Sequence, residues 1–338
     1  TPPYLFGEIA KLKAKALAEG RDLIDFGIGD PDQPTPRDII DRLYEAAQDP
    51  ATHRYDETPY GEPFFLQAVA EWYRRRYGVS VDTEGEILLL IGSKEGLAHL
   101  AWAYIEPGDI ALVPDPAYTV YAINTRMAGG EVYTMPLRRE NGFLPDLSAI
   151  PEEVARRARI LYVNYPNNPT GAVAPEHFYR ACVEFARRHG TLVVSDEAYA
   201  ELYYEEPPLS FLQVPGAREV GVAVHSMTKT FSMAGWRMAW ICGNAEVVEI
   251  VRGFKANCDS GQFMGFQKAV ARVLAEGMGD MKAIRDMYRR RRDLFVEGTR
   301  KLGWNVPSPR AGLYVWFEVP AKGLSSMAFA EKAMEEVL

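Results

Sequence analysis

In the stretch HSMTKTFSMAGWR, residues 225–237, a lysine follows an apolar run, three residues after Ser226 and eight before Arg237. Most lysines are solvated surface residues, so Lys229 needs particular company before chemistry can be assigned to it. That company stands at the ends of other apolar runs. Asp196 closes TLVVSD, with Glu197 and Tyr199 just behind it; a carboxylate so placed is costly unless a cation or hydrogen-bond donors meet it. Gly92 and Ser93 follow EILLLI where a helix begins, offering free N–H groups and a hydroxyl to a phosphate. NNPTG, residues 167–171, follows ILYVNYP and is good turn chemistry. Each feature alone has an ordinary reading as an N-cap, a turn or a solvated charge. Together, an amine, an acid, a phosphate cradle and an arginine at successive strand ends are what a Schiff-base lysine requires.

Rival chemistries lack their parts. The Ser226-x-x-Lys229 spacing also occurs in serine nucleophiles of β-lactamases, but the accompanying S-D-N-like and K-T-G elements are missing from the chain. GSKEG is not a P-loop, and GIGDPD at 27–32 lacks the third glycine of a dinucleotide fingerprint. Cys182, Cys242 and Cys258 are widely spaced and odd in number, which fits a reduced cytoplasmic setting without a disulfide framework or zinc site. No two histidines or cysteines have metal-ligand spacing, so no metal is expected. The formal charge of −8 argues against general nucleic-acid binding. The basic runs at 74–76 and 288–292 read as solvated faces of mixed-charge helices. No apolar run approaches the roughly 20 residues that cross a bilayer, and no signal peptide is visible.

The elements that must position these residues are short apolar runs: EILLLIG, DIALVPD, RILYVNYP, TLVVSDEAY, GVAVHS and RMAWICG. Their apolar residues are continuous, as in strands covered on both faces. Helix-like stretches such as KEGLAHLAWAYI and PEHFYRACVEFARRHG lie between several of them. The fold class is therefore α/β, a mostly parallel sheet covered by helices, at 338 residues and 47% hydrophobic content large enough for a substantial core. The gap after GVAVHS is too short for a crossover helix, so at least one strand should run antiparallel. Past about residue 265 the rhythm changes to a long helix ended by Gly303, a strand-like GLYVWFEV and the amphipathic SSMAFAEKAMEEVL. This reads as a large domain over residues 32–279 and a smaller α+β domain from 1–31 and 280–338.

From GIGDPD through GSKEG, PDPAY, YPNNPTG, DEAY and SMTKTFSMAGWR to GLYVWFEV, the sequence resembles the pyridoxal-phosphate-dependent aminotransferases of fold type I, class I/II. The resemblance covers nearly the whole chain. It implies transamination between an amino acid and a 2-oxo acid, with pyridoxal 5'-phosphate held covalently by Lys229. Asp196 would pair with the pyridine nitrogen, Tyr199 and Asn168 would bond the phenolic oxygen, and Tyr118 would stack on the ring. Ser93, Lys94, Ser226 and Arg237 would gather the phosphate, joined by Tyr55 from the partner subunit of a homodimer. Gly29, Asn168 and Glu57 would meet the substrate, Glu57 reaching a distal ammonium group from the partner's loop.

IGSKEGLAHL, YPNNPTGAV, NGFLPDLSAIP and VPGAREVGV are most similar to bacterial-type LL-diaminopimelate aminotransferases, while alanine aminotransferases share GSKEGLAHL. A carbon–sulfur β-lyase on the same fold would use the same lysine, aspartate and arginine. Thr228 stands where serine is commoner before the lysine, and YDETPYG is one residue longer than the usual loop, so Tyr60 competes with Tyr55. The resemblance also implies a C-terminal arginine for the substrate α-carboxylate. The sequence stops before that motif, so the small domain is expected to be incomplete.

Overall fold

A computed structural model describes residues 13–23, 25–27, 29–55, 60–276 and 281–337. At its centre lie seven strands: β1 (Ile87–Ile91), β2 (Ile110–Asp115), β3 (Glu131–Pro136), β4 (Ala158–Asn164), β5 (Leu192–Asp196), β6 (Gly221–Ser226) and β7 (Met238–Gly243). Their order across the sheet is β1-β7-β6-β5-β4-β2-β3. The run from β3 to β6 is parallel, and β7 lies antiparallel between β6 and β1. The short segment between β6 and β7 thus makes the reversal that its length demands.

Burial on both faces explains the unbroken apolar runs. Ile87 and Leu89 of β1 join one core with Phe65, Val69 and Trp72 from the helix Pro63–Tyr77. Leu88 and Leu90 join the other with Leu97 and Leu100 from the helix Ser93–Tyr104, and with Val247, Val248 and Val251 from the helix Ala245–Lys255. Each such side chain contributes about 1.5–3 kcal/mol on burial, so pairing and covering reinforce each other along every inner strand.

Two elements differ from the sequence reading. β3 is an additional strand at the sheet edge, where only Met135 of EVYTMP is buried, and a strand with one neighbour needs no continuous apolar run. GLYVWFEV, expected as a strand, forms no ladder. Ala311 alone bridges Tyr203, while Leu313 and Tyr314 pack on the main core. Among the described residues no strand lies alongside it, and β propensity without a partner does not make a sheet.

The expected long helix spans Met281–Lys301, and Gly303 follows it in left-handed conformation. Buried Glu201 ties this helix to the sheet body. Its carboxylate lies 2.9 Å from Arg76 Nε and 3.8 Å from Arg285 Nη1. Arg291 holds Asp32 bidentately at 2.7 and 2.9 Å, and Arg292 donates to the Pro309 carbonyl at 3.0 Å. The segments carrying Asp32 and Pro309 are thereby fastened to one helix. No helix among the described residues is long and apolar enough to cross a membrane.

β6 delivers the Ser226–Lys229 turn, and its first residue has no room for a side chain. A Cβ on Gly221 would lie 2.6 Å from the Val193 carbonyl oxygen and 2.7 Å from Phe211 Cε1. Gly221→Ala should therefore lower the urea midpoint, with a loss of about 1–3 kcal/mol from overpacking. Gly253→Ala, within a helix and facing open space, is the control and should be neutral or stabilising.

Candidate active site

The carboxyl ends of β4, β5 and β6 and the turn after β1 converge on a cavity of about 440 Å³. Ligands in open α/β sheets bind beyond such ends. After Ile91 the chain turns through Gly92 at φ +79° into the helix Ser93–Tyr104. Only glycine takes that conformation without strain, and a Cβ there would lie 1.9 Å from Nη2 of Arg237. Arg237 is thus pressed against the turn that carries Ser93 and Lys94. Ser226 Oγ accepts from Thr228 N at 3.1 Å and caps the single helical turn bearing Lys229.

One buried amide joins the next two strand ends. Asn164 and Asp196 are register partners on β4 and β5. Asn164 Nδ2 donates to the Asp196 carbonyl at 2.9 Å, and its Oδ1 accepts from Asn168 N at 2.8 Å. Within the NNPTG turn, Asn167 Oδ1 accepts from the backbone N and hydroxyl of Thr170 at 3.1 and 2.7 Å. Asn168 Nδ2 then donates to the Tyr199 hydroxyl at 3.4 Å, and that hydroxyl lies 3.2 Å from the Tyr314 hydroxyl.

Asp196 is buried, accepting from Tyr121 Oη at 2.7 Å and from Ala198 N at 3.2 Å. Among the described residues it makes no ion pair. Burial raises its pKa above 3.8, opposed by the Tyr121 hydrogen bond and by the more remote His225. The adjacent Glu197 is engaged elsewhere. Its Oε2 lies 2.9 Å from His225 Nε2, while its Oε1 accepts from the hydroxyls of Ser195 and Ser210 and from Phe211 N.

Lys229 is half-buried and donates from Nζ to the Gly29 carbonyl. Burial lowers its pKa from 10.5; Asp30 opposes this and Arg237 assists it. Tyr118 meets Tyr121 edge-on at 5.9 Å, and Lys94 Nζ lies 6.0 Å above its ring.

Of the residues expected from sequence, Ser93, Lys94, Tyr118, Asn168, Asp196, Tyr199, Ser226, Lys229 and Arg237 all line this cavity. Gly29 reaches it through Lys229 and lines an adjoining cavity of about 680 Å³, with Tyr314 shared between the two. Tyr55 stands apart, 87% exposed. Tyr60 is half-buried with the Arg252 guanidinium 5.0 Å from its ring centre. Glu57 lies outside the described residues. Sequence reading missed Tyr121, Asn164 and Tyr314. Asn164 carried the same signal as Asp196, a polar residue closing an apolar strand, and Tyr121 follows Tyr118 at helical i+3 spacing.

Residues 21–338 match the family model described as aminotransferase class I and II. The chain belongs to that family. It is 50% identical over 337 residues to an LL-diaminopimelate aminotransferase of Moorella thermoacetica, covering 99% of this chain and 86% of the relative. A similarly named protein of Desulforudis audaxviator is 49% identical over 99% of this chain and 85% of its own length. The substrate-bound structure of Bacillus subtilis BacF superposes with a TM-score of 0.95 at 38% identity, covering 99% of this chain and 85% of that one.

The aminotransferase depends on pyridoxal phosphate, and its cavity has the donor set that this group needs. Asp196 is a buried acid with a raised pKa, which a cation such as a protonated pyridine nitrogen would fit. Asn168 and Tyr199 offer hydrogen bonds to a phenolic oxygen, and two hydroxyls with two cationic side chains suit a phosphate. Lys229 would supply the amine.

The raised pKa of Asp196 has a measurable consequence for the cofactor-free protein. Between 3.8 and the higher folded-state value, the folded chain keeps a proton that the unfolded chain has released. Stability therefore falls as pH rises through that window. Asp196→Asn should remove this fall, leaving the cofactor-free variant more stable than the parent above the window and weaker in cofactor binding. Melting curves of both proteins across pH test this, and parallel curves would contradict an uncompensated carboxylate.

Proposed function

We propose that this aminotransferase takes LL-diaminopimelate as amino donor and 2-oxoglutarate as acceptor, in the cytoplasm and in the service of lysine biosynthesis. The observation that carries this reading is near-full-length identity of about half to relatives bearing that name. The free state of its cysteines agrees with a reducing compartment. Residues 32–279 form the large domain, and 1–31 with 280–338 the small one.

Bound pyridoxal phosphate supplies the electron sink for charge developing at the substrate Cα. Asp196 keeps the pyridine nitrogen cationic by favouring its charged form, and Tyr121 and Asn164 fix where that carboxylate stands. Ser93, Lys94, Ser226 and Arg237 bind the phosphate, Arg237 with a planar fork of donors that stays charged. Tyr118 packs on the ring, and Asn168 and Tyr199 bond its phenolic oxygen. Lys229 would hold the cofactor through its amine, and the same amine, when free, would move the proton at the substrate Cα. Its lowered pKa favours the neutral amine that this task requires.

Glu57 from the partner's loop meets the distal ammonium of diaminopimelate, Gly29 sits close to the α-carboxylate, and Asn168 also contacts the substrate. An amino-donor screen against 2-oxoglutarate and pyruvate should show diaminopimelate ahead of alanine. Glu57→Gln should weaken diaminopimelate use by about 2–5 kcal/mol, the scale of a broken buried charge pair, and leave alanine use nearly unchanged. Alanine as the better donor would favour an alanine aminotransferase, and pyruvate released from cystathionine a β-lyase.

The enzyme works as a homodimer with shared sites. The exposure of Tyr55, outside the cavity of its own chain, supports this reading. Mixing a Tyr55→Phe, Tyr60→Phe variant with a Lys229→Ala variant should restore one intact site per heterodimer. Lack of recovery in mixed dimers would mean that each chain builds its site alone.

A further inference from the structure

Lys255 closes the helix Ala245–Lys255 with a side chain that is 0% exposed. Lysine is almost never buried so completely without acids around it. Its Nζ lies 2.6 Å from Asp259 Oδ1 and 3.3 Å from Glu95 Oε1. His99 completes the cluster, with Nδ1 2.7 Å from Glu95 Oε1 and Nε2 4.0 Å from Asp259 Oδ2. Phe254 and Trp102 cover the imidazole at ring distances of 5.1 and 5.9 Å. Glu95, His99 and Asp259 are close enough together to hold a metal ion. The lysine ammonium already touches two of the three, so the cation of this cluster is Lys255.

Nothing in the catalytic assignment uses these four residues, yet the cluster reaches the cofactor cavity through one side chain. Glu95 is the third residue of the helix whose first two, Ser93 and Lys94, line that cavity. Its Oε1 faces Lys255 and His99, while its Oε2 accepts from Ile91 N at 2.9 Å. The carboxylate thus spans the turn from the last residue of β1 to the first turn of the helix, and Arg237 presses on the same turn at Gly92. Removing the ammonium would leave two partly buried acids with only the His99 imidazole between them. Such a carboxylate turns toward water, which releases the Ile91 amide, or takes up a proton, which weakens the bond it accepts from that amide.

We propose that Lys255 is a positioning residue for the phosphate of the cofactor, acting through Glu95 to hold the Ile91–Lys94 turn in its binding shape. The proposal rests on the reading that Ser93 and Lys94 bind that phosphate. A purely structural lysine would affect all ligands of the cavity alike, whereas a support for the phosphate turn affects only ligands that carry a phosphate.

Full-length enzyme stripped of cofactor and titrated by equilibrium dialysis with pyridoxal phosphate and with pyridoxal separates the two roles without measuring turnover. Lys255→Met should weaken pyridoxal phosphate by about tenfold or more, the scale on which losing a supporting partner loosens a ligand-holding group, and leave pyridoxal binding nearly unchanged. Asp259→Asn, which keeps the lysine, should shift the same ratio in the same direction by less, and it carries the test if Lys255→Met does not fold. Ser93→Ala tests the underlying reading: an unchanged ratio there removes the phosphate assignment and the proposal with it. A selective loss in Ser93→Ala, combined with equal losses for both ligands or none in the Lys255 and Asp259 variants, overturns the role of Lys255 alone.

Discussion

Asp196 is a carboxylate shut away from water at the end of β5, with hydrogen-bond donors but no ion-pair partner among the described residues. Such a group destabilises the chain that carries it unless something cationic arrives. The surrounding structure confines that cost to one orientation. Tyr121 donates to one oxygen, Ala198 N to the other, and Asn164 fixes the backbone from the neighbouring strand. Under the proposed function, a protonated pyridine nitrogen would complement this carboxylate, and the cost of burying the acid would become a determinant of cofactor binding.

The same logic separates Asp196 from Glu197. Adjacent buried acids would repel if both faced one cavity, yet Glu197 lies against His225 and accepts from two hydroxyls and a backbone amide. Stacking of His225 on Trp240, with Trp72 and Tyr73 edge-on, fixes the imidazole that faces it. Two chemically identical groups therefore have different uses, set by what packs around them.

Strands and helix starts carry much of the site, and turns directly following them carry Asn168, Tyr199 and Tyr118. Parallel strands bring Asn164, Asp196 and Ser226 to one edge of the sheet, and the antiparallel β7 returns Arg237 beside the turn after β1. Residues set on strands and helix starts hold their geometry more closely than residues on free loops. Tyr314 stands on a segment without a ladder, held by its contact with Tyr199 and by the anchoring of Pro309 to Arg292.

The strand runs, the reversal before β7 and the polar residues closing each strand were legible in the sequence, because burial on both faces leaves a continuous apolar signal and chemistry interrupts it. Lys229, Asp196, Asn168 and Arg237 stood out for that reason. β3 did not, since an edge strand half-open to solvent carries no such run, and GLYVWFEV misled because strand propensity is silent about whether a partner is present. Only the tertiary structure decided which residue faces which. The bond from Tyr121 to Asp196 spans 75 positions, and the pairing of Lys255 with Glu95 spans 160. Residue type and spacing report what a segment can do alone; the charge balance of a buried group depends on chain segments that meet only when the sheet is covered.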